Sequence, residues 1–194
     1  TWRYKMTVSL ETPEGIKTGS AVRKIGQFTD FKIGDVGGGA AGAIGEAVVV
    51  DLGARGKLFM TMGEDFYFIF DVFPFGGGGN TPGGIKYYSH LKNAKASILG
   101  LKNIVPQLVT FTDVNDPLSV KAVDNNNLAA SFGAGVILKD ITVETTDEPM
   151  TKGVIDTYLP WLSAHRGNLK GELYATSEGL SGILDKSDFK WGIK

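Results

Sequence analysis

Trp2-Arg3-Tyr4-Lys5-Met6-Thr7-Val8-Ser9-Leu10-Glu11 alternates apolar and polar side chains without a break. A period of two places Trp2, Tyr4, Met6, Val8 and Leu10 on one face of a β-strand. Thr12-Pro13-Glu14-Gly15 follows, where proline fixes φ and glycine accepts a positive φ, so the chain turns. Ile16–Ile25 then reads as the returning strand, and the pair as an N-terminal hairpin.

Outward from this hairpin the sequence continues in the same manner. Glu46–Leu52 and Lys57–Met62 flank Gly53-Ala54-Arg55-Gly56 and read as a second hairpin. Phe66–Phe73, apolar apart from Asp71, reads as a central or covered strand. Gln107–Phe111 and Val136–Thr146 are further strands. Gly171–Thr176 is a short one, and Ser187–Trp191 an extended tail. Helical spacing predicts one amphipathic helix over Ile85–Leu101, a short helix over Leu128–Phe132, and one opened by Asp147 and Pro149 and running to Tyr158 or Leu159. Gly34–Gly45 and Gly76–Gly84 carry almost no charge and read as two glycine-rich loops. The expected fold is α+β: a single domain over residues 1–194, dominated by antiparallel sheet, with two or three short helices.

Composition narrows the chemistry. The 20 Lys+Arg balance 21 Asp+Glu, for a net charge of −1, so nothing in the balance points to nucleic acid. The absence of cysteine excludes disulfides, thiol nucleophiles and cysteine-held metals, and two histidines make a histidine metal centre unexpected. No stretch approaches the roughly 18 apolar residues of a membrane helix. The chain begins at Thr1 without methionine, as a processed chain or a segment of a longer one does.

Motifs of catalysis are sparse. Gly37–Gly42 spells G-x-G-x-x-G but leads into a β-branched strand, leaving no helix N-terminus for a pyrophosphate. Ser89 and His90 are adjacent, yet side chains at neighbouring positions diverge, and no G-x-S-x-G elbow occurs. His165, beside Arg166, reads as a solvated histidine. The carboxylates Glu144, Asp147 and Glu148 suit a helix N-terminus without catalysis. Asp113, Asn115, Asp116 and Asp124 offer calcium-type oxygen ligands, although turn residues have the same composition. Phe66, Phe68, Phe70, Phe73, Tyr87 and Tyr88 are the candidate binding residues, unless a helix covers that face. No cofactor is expected.

Glu11–Gly15 with Gly19-Ser20, Gly45–Gly53, and Leu159-Pro160-Trp161-Leu162 together resemble a family of uncharacterised exported proteins of proteobacteria, several of which look like lipoproteins. The resemblance implies a periplasmic or membrane-anchored location in the cell envelope, the membrane being reached only through an N-terminal lipid anchor. It transfers no activity and no catalytic residue. The resulting expectation is a non-enzymatic envelope protein with a binding or structural role, partnered by another envelope protein or by itself. The alternatives are a small-molecule-binding or hydrolytic domain with a pocket between sheet and helix, and a phage or filament subunit.

Overall fold

The computed structural model describes residues 2–28, 32–33, 36–37, 40–63, 68–77, 81–101, 105–175 and 179–193. In chain order the strands are β1 (Trp2–Thr12), β2 (Gly15–Phe28), β3 (Lys32–Ile33), β4 (Val36–Gly37), β5 (Ala40–Glu46), β6 (Val48–Asp51), β7 (Lys57–Met60), β8 (Lys95–Ser97), β9 (Leu108–Phe111), β10 (Val120–Ala122), β11 (Ile137–Thr146) and β12 (Lys190–Trp191). The helices are short: α1 (Phe68–Val72), α2 (Pro82–Ser89), α3 (Ala129–Phe132), α4 (Val154–Tyr158) and α5 (Leu180–Ile183).

The N-terminal hairpin nucleates the architecture. Thr12 Oγ1 accepts the Glu14 N–H and donates to the Gly15 carbonyl, and Gly15 has the positive φ that closes the turn. The register pairs Met6 with Ala21 and Arg3 with Lys24. On its other edge β1 takes β11, and the sheet runs β12-β5-β2-β1-β11-β8. As the alternation requires, Tyr4, Met6, Val8 and Leu10 are fully buried. Burying each such side chain contributes about 1.5–3 kcal/mol.

A second antiparallel sheet, β10-β9-β7-β6, lies against that buried face. Val48, Val50, Leu58, Met60 and Leu108 join the core formed with β1, β2 and β11. Its opposite face presents Phe59, Val109 and Phe111 to Ile155, Leu159, Leu162, Leu184 and Phe189 of the C-terminal segment. The fold is therefore one α+β body in three layers: sheet, sheet, and a cover of short helices. Among the described residues no helix is long and apolar enough to cross a membrane.

Several expectations are corrected. The run expected as a strand over Phe66–Phe73 is not one over its described residues 68–73: Phe68–Val72 is helix α1, with Phe68, Val72 and Phe73 buried. Short apolar runs satisfy both periods, and here the three-to-four spacing prevails. Ile85–Leu101 is not one helix. It ends at Ser89, Asn93 turns in the left-handed region (φ 55°), and Lys95–Ser97 pairs with β11. The stretch Gly34–Gly45 is not all loop, because Ala40–Glu46 forms β5, held by ladders to β2 and β12 that offset the entropy of its glycines. Gly171–Thr176 forms no strand over the described 171–175.

Between the sheets sits a buried polar pair. Arg23, with no exposed surface, donates from Nε to the Glu46 carbonyl at 2.9 Å, and Met6 Sδ lies 3.5 Å from its Nη1. Burial pulls the Arg23 guanidinium down to about 10 and pushes the Tyr4 phenol up to about 12, each partly opposed by the other. Tyr4 ionises near 10 when unfolded, so between pH 10 and 12 the native state holds the extra proton. Its contribution is complete below pH 10 and falls by about 3 kcal/mol as pH rises through 12. Arg23 acts with the opposite sign over that window. Urea melts of wild type and Tyr4→Phe isolate the tyrosine: their difference is expected to shift against the wild type between pH 10 and 12. A pH-independent difference would refute the assignment.

Candidate functional site

The hairpin register sets Arg3 and Lys24 opposite each other at the open end of the first sheet, and Thr146 pairs with Arg3 from β11. Helix α2 supplies the other wall. Proline at its start and Thr81, whose Oγ1 accepts the Gly84 N–H at 3.1 Å, fix where it begins. After Ser89 the chain is stitched to β11 by two bonds, Ala94 N–H to Thr145 Oγ1 (3.0 Å) and Thr145 N–H to the Ala94 carbonyl (2.9 Å). Lys92 and Asn93 are thereby held at the sheet end.

These elements enclose a half-open cleft of about 490 Å³ whose lining includes Arg3, Lys24, Lys92, Ser89, Asn93 and Asp147. Arg3 donates from Nη2 to the Asp147 backbone carbonyl at 2.8 Å, and its buried Nε has no acceptor among the described residues. Neighbouring lysines are neutralised, Lys5 by Glu148 at 2.9 Å and Lys95 by Glu144 at 3.7 Å. Among the described residues neither Lys24 nor Lys92 forms an ion pair. A shallower groove, lined by Gly83, Lys86, Tyr87 and His90, adjoins the cleft and shares Leu91 and Lys92 with it.

The aromatic candidates are largely consumed by packing. Phe68, Phe73 and Tyr88 are buried, and the Tyr88 hydroxyl donates to the Phe73 carbonyl at 2.7 Å. Phe70 packs on Tyr88 at 4.8 Å, leaving Tyr87 half-buried at the groove, and Phe66 lies outside the described residues. The oxygen-rich candidates are not brought together. Asp113, Asp116 and Asp124 each accept a backbone N–H two residues ahead, from Asn115, Leu118 and Asn126. Among the described residues no three acidic or histidine side chains converge on a point.

Ser89 and His90 do meet, at 3.1 Å, contrary to the expected divergence. His90 Nδ1 lies 2.8 Å from the Lys86 carbonyl, which only accepts, so Nδ1 carries the hydrogen and is not a base for Ser89. Likewise His165 Nε2 donates to the Asn168 carbonyl at 2.7 Å. Ser163 Oγ lies 3.0 Å from Lys190 Nζ, but both bond to the Asp156 carboxylate. Burial pushes that carboxyl up, yet Lys190, Ser163 and Lys186 together hold it below the usual range. Lys190 is thus engaged in an ion pair with Asp156.

A pocket between sheet and helix is among the sequence-based alternatives, but Arg3, Lys24 and Lys92 are not among its candidate residues. Half of the cleft was accessible, since a turn at Thr12–Gly15 already places Arg3 opposite Lys24. Lys92 was not, because the expected helix over Ile85–Leu101 hid the turn that carries it. The motifs on which the resemblance to exported proteins rests map elsewhere: Thr12 and Gly15 close a turn, Glu46 is buried, and Leu159 and Leu162 fill the third layer. Comparison with family models, with curated proteins and with solved structures finds no match for this chain.

Proposed function

We propose that this chain is a non-enzymatic binding protein of the cell envelope, periplasmic or lipid-anchored, that takes a small polar ligand in the cleft between α2 and the first sheet. The observation that carries the reading is the cleft, a formed concavity lined by Lys24 and Lys92, which form no ion pair among the described residues. Ser89 meets the N–H nitrogen of His90 and not its basic one, and Lys190 is paired with Asp156, so neither contact is the nucleophile–base pair of a hydrolase. The envelope location rests on the family resemblance alone.

A thermal-shift screen over sugars, carboxylates, phosphates and nucleotides tests it, beside the cleft-filling variant Thr146→Trp. A ligand at about 100 times its Kd stabilises by about 2.7 kcal/mol, a rise of roughly 5–10 °C for a chain of this size. That rise is expected in the wild type and not in Thr146→Trp. A flat screen would remove the binding reading. Recovery of the native protein from the cytoplasmic fraction with no added lipid mass would remove the location.

A further inference from the structure

We infer that the ligand is a phosphate group carried on an apolar body, with the phosphate in the cleft and the apolar part along the groove beside it. This rests on the binding reading above and deepens it. Arg3, Lys24 and Lys92 face one carboxylate, Asp147, in a chain whose net charge is −1, so the excess is local. Among the described residues Arg3 is held by a carbonyl and not by a counter-charge. The next rows of the same sheet face have carboxylates for their lysines, whereas among the described residues this row has none for Lys24. An excess of about two positive charges matches a phosphate monoester, at about −1.5 to −2, better than a single carboxylate. Asn93 adds a neutral donor suited to phosphate oxygens. The groove of Gly83, Tyr87 and Leu91 is continuous with the cleft through Leu91 and Lys92, which gives an attached chain or ring an apolar surface to lie on.

The same chemistry is offered by a soluble phosphate ester and by a phospholipid headgroup. Binding is measured with inorganic phosphate, octyl phosphate and octyl glucoside, and with phosphatidylcholine vesicles with or without phosphatidic acid, at low and high salt. Octyl phosphate is expected to bind at least about tenfold tighter than inorganic phosphate, and octyl glucoside not detectably. Lys92→Gln, at an exposed loop position, and Lys24→Gln are each expected to weaken octyl phosphate about tenfold. Salt-sensitive binding to phosphatidic acid vesicles that Lys92→Gln abolishes assigns the lipid source; binding of the soluble ester alone assigns the other. Equal binding of octyl glucoside, or affinity untouched in both lysine variants, overturns the phosphate assignment. In that case a neutral ligand whose thermal shift Thr146→Trp abolishes still upholds the binding reading, whereas no ligand of any class defeats both.

Discussion

Gly19→Ala is expected to cost about 3 kcal/mol or more and to leave little folded protein at 37 °C. Gly19 pairs with Val8 on the inner face of the hairpin, where β6 crosses closest. A Cβ there would lie 1.8 Å from the Val49 carbonyl oxygen and 2.6 Å from its carbon. Overpacking a core costs about 1–3 kcal/mol when a side chain can shift, and here the obstacle is backbone of the facing sheet. Relief requires moving β6 away from β2, which opens the core around Val48 and Val50. Urea denaturation of Gly19→Ala beside Ser20→Ala, its exposed neighbour, measures the effect. The serine variant is expected within about 0.5 kcal/mol of wild type. Similar midpoints for the two would show that the sheets do not approach this closely.

Glu46→Ala is expected to lose about 3 kcal/mol and to loosen the C-terminal layer before the sheets. The fully buried Glu46 carboxylate accepts the N–H groups of Gly153, Val154 (2.9 Å) and Ile155 (3.1 Å), at the start of α4. Helix starts leave such donors without intrahelical partners, and a buried orphan costs about 1–3 kcal/mol. Glu46→Gln keeps the size but turns an NH₂ toward donors, so it is expected to recover little. Limited proteolysis reads the location of the damage: cleavage near residues 150–160 should appear before cleavage within the hairpin. Uniform destabilisation with no preferential site would argue against a local anchor.

What the sequence made legible follows from how local its signals are. Strict alternation over Trp2–Leu10 and the turn at Thr12–Gly15 specify the hairpin completely, and Val136–Thr146 is nearly as clear. The aromatic run failed because Phe68, Val72 and Phe73 satisfy a helix while their neighbours mimic a strand. The glycines before Glu46 failed because a strand can be built by its partners, here β2 and β12, regardless of its own propensity. Of the candidate site, Arg3 opposite Lys24 followed from hairpin register. Lys92 arrives only through the Asn93 turn and the Thr145 stitching, which are tertiary facts. The same register sets Arg23 opposite Tyr4 on the apolar face, whereas the buried Glu46 has no local signal, since in sequence it is a charged residue on a strand.

The pairing of β1 with β11 has a consequence for assembly of the chain. Lys5 of β1 and Glu148, just beyond the end of β11, bond to each other 143 positions apart. The hairpin can close as soon as residue 28 is available, but the free edge of β1 stays unpaired until residues 137–146 arrive. During that interval it presents open backbone groups beside an uncovered apolar face, the combination that recruits foreign strands. Such non-local closure also slows folding, because the loop entropy must be spent before the contact is gained. A chain stalled short of β11 is therefore the aggregation-prone species, and a holdase that shields residues 2–12 would protect it best.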